Sequence, residues 1–322
     1  MKQPKDTADR LSVGLADIET AKARIAGRLR RTPVIKAAPN LAPITEGELW
    51  LKLECLQVTG SFKPRGATNR LLTLDDAAVQ RGIITASGGN HGLAVAYVGR
   101  QAGVPAVIYL PESTPQAKAD KIASYGAEVH IHGAGWDEAN EAALAEGEVR
   151  GLTYLHPFAD PNVIAGQGTL GLEILEDLPE TDLLIVSIGG GGLMAGVSTA
   201  VKALKPGARV IGVEPTGAPT LSSSLSAGQL VSLPAIETRA GTLAPRRSAE
   251  VNLALIADHV DEIVLVSDQE MTEAARWLWR ELGVAAELSG AAAVAALQSG
   301  RVTAKPGEKV TAIICGAGTD GL

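Results

Sequence analysis

The chain has 322 residues, 46% hydrophobic and 20% charged, a composition that supports a packed core and excludes intrinsic disorder. A formal net charge of -7 and a pI near 5.4 give no general attraction for phosphate backbones, so nucleic acid is not an expected partner. No apolar run approaches the roughly 20 residues that span a bilayer, and the opening MKQPKDTADR lacks a signal-peptide core; a cytoplasmic protein with no membrane partner is expected.

In chain order, residues 15–31 carry apolar positions at helical spacing until Thr32-Pro33 ends them. Next comes Gly60-Ser61-Phe62-Lys63-Pro64-Arg65-Gly66, where one of only two phenylalanines stands beside a lysine among turn-forming residues. In that expected turn the lysine is either a solvated charge or an amine held for covalent chemistry. From residue 83 the pattern alternates: strands at 83–86, 105–110 and 127–132, helices at 92–103, 115–126 and 137–146. After 155–161 it resumes with helix 162–178, strand 182–188, helix 193–205 and strand 208–214. Residues 215–258 read as irregular, followed by strand 262–267, helices 268–282 and 290–298, and strand 310–315. The expected class is α/β: two lobes of twisted, mainly parallel sheet with flanking helices, sharing a cleft that receives ligands at the carboxyl ends of strands.

Three strand ends carry the chemical signals. Strand 182–188 runs into Gly189-Gly190-Gly191-Gly192 and straight into a helix. Such a loop brings backbone N–H groups and a helix N-terminus to an anion, a phosphate cradle without a basic side chain. The same residues satisfy a dinucleotide fingerprint, Gly190-x-Gly192-x-x-Ala195 with Glu214 ending the next strand, so a dinucleotide-dependent oxidoreductase is the rival reading. Against it, the fingerprint normally opens the first βα unit, whereas several units precede this one. No GxxxxGK[ST] and no GxSxG are present. Strand 83–86 ends in Ser87-Gly88-Gly89-Asn90-His91, which is either a carboxylate and hydroxyl site or an N-cap. The last strand delivers Cys315 to its carboxyl end, a core position or a site position. Cys315 and the distant Cys55 form no framework of disulfides. His130-x-His132 has no third ligand at metal spacing, so no metal is expected. Trp277-x-Trp279, between Arg276 and Arg280, reads as packing surface.

Together, TGSFKPRGA, SGGNHG, HPFADPNVIAGQGT, SIGGGG and CGAG resemble, in order and over nearly the whole chain, the pyridoxal-phosphate enzymes of the serine/threonine dehydratase and serine racemase family, of fold type II like tryptophan synthase β. The resemblance implies a large cofactor-binding domain of residues 1–81 and 160–322 and a small mobile domain of residues 82–159. It implies that Lys63 carries pyridoxal 5'-phosphate as a Schiff base, that Phe62 packs on its ring, and that Asn90 bonds the ring hydroxyl. Gly189, Gly190, Gly191, Gly192 and Leu193 would hold the phosphate and Cys315 would face the ring nitrogen. Ser87, Gly88, Gly89 and His91 would grip an amino-acid carboxylate. The activity implied is β-elimination from L-threonine, L-serine or a related β-hydroxy amino acid to give the 2-keto acid and ammonia, in a homodimer. Racemase and non-catalytic binding protein are the alternatives within the fold. Three departures are visible: Gly88 stands where racemases have serine, which disfavours racemisation and leaves room for a larger β-substituent. Ala218-Pro219-Thr220 supplies no acid for the family's cation site, and Ala240-Gly241 replaces the usual Asp-Gly.

Overall fold

The computed structural model describes residues 12–38 and 43–322. Helix α1 (Leu15–Ile25) leads to β1 (Val34–Lys36), β2 (Glu48–Lys52), α2 (Lys63–Leu71) and α3 (Asp76–Arg81). Next come β3 (Ile83–Ala86), α4 (Asn90–Ala102), β4 (Ala106–Leu110), α5 (Gln116–Ala123), β5 (Glu128–Ile131), α6 (Trp136–Arg150) and β6 (Thr153–Tyr154). Then follow α7 (Pro161–Asp177), β7 (Leu183–Ser187), α8 (Gly192–Leu204), β8 (Arg209–Pro215), α9 (Thr220–Ala227) and α10 (Glu250–His259). The chain closes with β9 (Glu262–Val266), α11 (Asp268–Leu282), α12 (Leu288–Gln298) and β10 (Lys309–Ile313).

These elements form two sheets. One has the order β1-β2-β10-β7-β8-β9 and is parallel except for the β1–β2 pair; the other, β5-β4-β3-β6, is wholly parallel. Both are covered on both faces, which is why their central strands are continuous apolar runs. In β7, Leu183 and Ile185 enter one core while Leu184 and Val186 enter the other; β4 divides Val107 and Tyr109 from Ile108 and Leu110 in the same way. The α/β class expected from the sequence is present.

Several expected boundaries shift for local reasons. Helix α1 stops at Ile25, six residues short of its expected end, and the chain turns at Gly27, whose φ of 73° suits a residue without a Cβ. The expected turn around Lys63 is instead the start of α2. Pro64 lies in the first helical turn, where its missing N–H costs nothing. Within the stretch expected to be irregular, α9 forms from TLSSSLSA despite weak propensity. The buried Glu214 carboxylate at the end of β8 accepts the N–H groups of Leu221 (2.7 Å) and Ser222 (2.9 Å) and so caps it.

Candidate active site

The carboxyl ends of β7, β10 and β3 bring the glycine loop, Cys315 and Ser87–His91 toward one cavity. Its inner part is lined by Phe62, Lys63, Asn90, Gly189 to Gly192, Leu193 and Cys315. It opens into a cleft of about 880 Å³ between the sheets, lined by Ser87, Gly88, Gly89 and His91 on one side and by Arg239 to Thr242 on the other. The residues expected to hold the cofactor and the substrate carboxylate therefore border one continuous space, whereas Cys55, His130, His132, Glu214, Trp277 and Trp279 do not line it.

Lys63 is positioned twice over. Its helix starts where Phe62 N–H donates to the Cys315 carbonyl (3.2 Å) and Ser61 bridges Gly316, so α2 begins against the end of β10. Its Nζ donates to the Pro157 carbonyl (2.8 Å) and lies 5.1 Å from the centroid of the Phe62 ring. Burial removes water from the ammonium and lowers its pKa to about 8, against a smaller opposing pull from Cys315 and Glu287. Deprotonation at physiological pH is thereby within easy reach.

The glycine loop owes its shape to backbone contacts. Gly191 has φ 93°, a left-handed conformation open to glycine. Gly190 lies against the Phe158 ring so closely that an added Cβ would sit 2.3 Å from two ring carbons. The Gly190 carbonyl accepts from Ser248 Oγ (2.9 Å) and Asn252 Nδ2 (2.7 Å). Because the peptide is trans, the Gly191 N–H points the opposite way. The first N–H groups of α8, from Gly192 and Leu193 onward, have no acceptor within the helix.

Sequence reasoning missed Glu287, which stands before α12 and joins the two walls of the cavity. Its Oε1 accepts from Asn90 Nδ2 (2.7 Å), Ser289 Oγ (2.5 Å) and Thr242 Oγ1 (3.4 Å). Burial raises its pKa, partly opposed by the Ser289 and Asn90 hydrogen bonds. The one signal in the sequence was an acid directly preceding the apolar run LSGAAAVAAL. Deeper in the cavity, Ser187 Oγ (2.7 Å) and Cys315 Sγ (3.4 Å) both donate to the Ser289 carbonyl. Burial pushes the Cys315 thiol up to about 12, so it is neutral.

The profile of the family described as pyridoxal-phosphate dependent enzyme matches residues 25–316. The chain belongs to this family. It is 40% identical over 308 residues to the L-threonine ammonia-lyase of Thermotoga maritima, covering 96% of this chain and 76% of that one. Maize serine racemase superposes with a TM-score of 0.91 at 34% identity, covering 95% of this chain and 94% of that one. The processed form of threonine deaminase isoform 2 from Solanum lycopersicum does so at 0.88 and 34%, covering 98% and 91%. Like the other pyridoxal-phosphate enzymes of its family, the chain is a fold-type-II enzyme that uses this cofactor.

The residues present fit that group. The cofactor needs an amine for its aldehyde, an anion site for its phosphate and a flat apolar neighbour for its ring; the cavity offers a desolvated Lys63 amine, a loop of approachable N–H groups, and Phe62. The dinucleotide reading fails on the family and on Glu214, whose two oxygens are occupied by backbone N–H groups rather than open to a ribose. The same bonds occupy the acid that would begin a cation site after β8. Among the described residues, one cluster has metal-like spacing, Glu128, His130 and Glu146. The Arg150 guanidinium already bridges its two carboxylates, and His132 is not part of it.

Two sequence-predicted residues sit differently from the picture of a gripping loop. The His91 ring is buried, bonds the Leu155 carbonyl through Nε2 (2.9 Å), and is held neutral by burial, with its pKa lowered to about 3. The room expected above Gly88 is filled by Thr114: a Cβ at residue 88 would lie 2.2 Å from Thr114 Oγ1 and 2.9 Å from its Cγ2.

Proposed function

We propose that this chain is an ammonia-lyase (dehydratase) that converts L-threonine or L-serine to the 2-keto acid and ammonia. The observation that carries the reading is the desolvated Lys63 amine, held between an anion-binding glycine loop and a second loop able to take a carboxylate. Relatives named L-threonine ammonia-lyase and L-threonine dehydratase, at 38–40% identity over 96% of the chain, support it.

When bound, pyridoxal phosphate acts as an electron sink that makes the α-proton of an attached amino acid removable. Lys63 Nζ would both anchor the cofactor and, once free, take that proton, because burial lowers its pKa to about 8 and brings the neutral, proton-accepting form within reach near neutral pH. Gly189 to Gly192 and Leu193 would hold the phosphate through N–H groups, and Phe62 would supply an apolar floor. Asn90, whose amide donates to Glu287, would bond the ring hydroxyl. Cys315, a neutral thiol, would face the ring nitrogen without giving it a full charge. The Ser87 hydroxyl and the leading N–H groups of α4, in the Gly88-Gly89-His91 backbone, take the substrate carboxylate. Thr114 fills the space over Gly88 and so favours the small β-substituents of serine and threonine. Water lost in elimination is returned when the product hydrolyses, so the net change is amino acid to keto acid plus ammonia.

The reading includes a small mobile domain of residues 82–159 closing the cleft against a large domain of 1–81 and 160–322, a homodimer, and a cytoplasmic location. Among the described residues no helix is long and apolar enough to cross a membrane. The test is release of 2-oxobutanoate from threonine and pyruvate from serine by the purified enzyme, with hydride trapping of the cofactor followed by mass spectrometry. The adduct is expected on Lys63, and Lys63→Ala should abolish both adduct and turnover. No keto acid from either substrate, or an adduct elsewhere, refutes the assignment.

A further inference from the structure

Helix α2 has two working faces. Successive residues on an α-helix are turned by about 100°, so Arg65 leaves the helix roughly opposite to Lys63. Arg65 runs into the interior between α7 and β2, where it is 1% exposed. All five of its N–H groups are engaged. Nε and Nη2 donate to the two oxygens of Glu54 (both 2.8 Å), and Nη1 and Nη2 to the two oxygens of Glu173 (2.7 and 2.9 Å). Nη1 also reaches Thr169 Oγ1 (3.3 Å). Lys52, fully buried, completes the cluster by donating to the Thr32 carbonyl (2.7 Å) and pairing with Glu173 (3.0 Å) and Asp177 (3.3 Å).

We propose that Arg65 is a positioning residue: its double fork fixes the rotation and depth of α2 and thereby the place of the Lys63 amine. The proposal rests on reading Lys63 as the cofactor-bearing lysine. A buried ion network is a poor device for stability alone, since apolar residues of the same volume often do as well. This one has a geometric consequence. Glu54 precedes Cys55, whose N–H donates to the Ile314 carbonyl (2.9 Å), so the first fork ties α2 to the end of β10 that carries Cys315. Glu173 belongs to α7, against which α2 packs backbone to backbone: a Cβ on Gly166 would lie 2.6 Å from Gly66 Cα. At so close a contact a guanidinium fork, with two planar bidentate pairs, sets helix rotation in a way that a single ammonium cannot.

Arg65→Lys keeps one positive charge and loses both forks. In the holoenzyme, turnover should fall about 10²-fold, as a misplaced reacting group does, with little change in substrate KM. The pH midpoint of the visible cofactor absorption should rise, because a displaced nitrogen gains water. Arg70→Met, on the same helix but paired with Asp160 at its far end, should lower the melting temperature and leave that midpoint in place. Should Arg65→Lys fail to fold, Glu54→Asp withdraws one fork while keeping its charge, and is expected to move turnover and midpoint in the same directions. A variant of Arg65 or Glu54 with lower melting temperature but unchanged turnover and midpoint overturns the proposal, leaving the cluster a structural one. Loss of the adduct in Lys63→Ala is read separately, so failure of the underlying reading is distinguishable from failure of the positioning role.

Discussion

Replacing Gly190 by alanine probes the cofactor loop with a single methyl group. The new carbon would lie 2.3 Å from Phe158 Cδ1 and Cγ and 2.7 Å from Cδ2, where unstrained carbon contacts need about 3.5–4.0 Å. Either the ring or the loop must move by on the order of 1 Å. The ring is packed edge-on against His156 at 4.6 Å, and the loop is pinned by Ser248 and Asn252 on the Gly190 carbonyl. Neither gives way freely, so an overpacking cost of about 1–3 kcal/mol is expected. Spread over the unfolding entropy of a chain of 322 residues, that is a loss of roughly 2–4 °C in melting temperature. The larger effect falls on the cofactor. Displacing one charge-assisted N–H contact to its phosphate costs about 1.5–3 kcal/mol, a loss of roughly 10–150-fold in affinity. Titration of the cofactor-stripped variant with pyridoxal phosphate, followed by visible absorbance, measures it directly. Gly207→Ala, with nothing within 4 Å of the added carbon, is the control. Affinity of Gly190→Ala within about twofold of wild type would refute the placement of the phosphate on this loop.

Three further outcomes follow from other parts of the molecule. Gly88→Ala should raise KM through its collision with Thr114, and Thr114→Ala in the same chain should recover much of the loss; additive effects in steady-state kinetics, to within about 0.5 kcal/mol, show the pair to be uncoupled. Only a neutral amine attacks an aldehyde, so the rate at which cofactor-free protein captures pyridoxal phosphate should rise with pH to about 8 and then level. A rate still climbing near pH 10, where an ordinary lysine titrates, contradicts the desolvation of Lys63. Burial raises Glu214 from 4.5 to about 7, outweighing its two backbone hydrogen bonds, so between those values the folded state binds more protons than the unfolded one. Stability should therefore decline from pH 4.5 toward 7, and Glu214→Gln should remove that decline in melting curves taken across the range.

What the sequence made legible was whatever is written in consecutive residues. β7 and β4 are continuous apolar runs bounded by turn residues, and the four glycines after β7 announce a close backbone approach. Lys63 was recognisable by its neighbours, but its helix was not, because α2 is held by the Glu54 and Glu173 carboxylates, one of them 108 residues away. Strands β1 and β2 escaped notice for the same reason: β1 is three residues long, and β2 gains its place by pairing in parallel with the last strand of the chain. Glu287 was invisible as a site residue because its partners, Asn90 and Thr242, lie 197 and 45 residues away. Thr114 answers Gly88 in the same manner, across a loop that spacing does not measure.

The electrostatics of the inner cavity explain how it can serve an anion with few charged side chains. Three helices, α2, α4 and α8, begin at the cavity, with Lys63, Asn90 and Gly192 as their first residues. Each helix N-terminus carries about half a positive charge from its unpaired N–H groups. At α8 this favours an anion such as the proposed phosphate, and at α4 one such as the proposed substrate carboxylate. At α2 the same field acts on a cation and opposes protonation of Lys63, in the direction that burial already pushes it. Among the described residues lining the inner cavity, Lys63 and Glu287 are the sole ionisable groups besides the neutral Cys315 thiol. A basic side chain on the glycine loop would strengthen the proposed hold on the phosphate and, being close to Lys63, would also depress the amine further and weaken its power to take the α-proton. On the proposed reading, backbone dipoles of the inner cavity hold that anion while leaving the amine basic enough to react, whereas the outer cleft carries Lys118, Arg239 and Arg246.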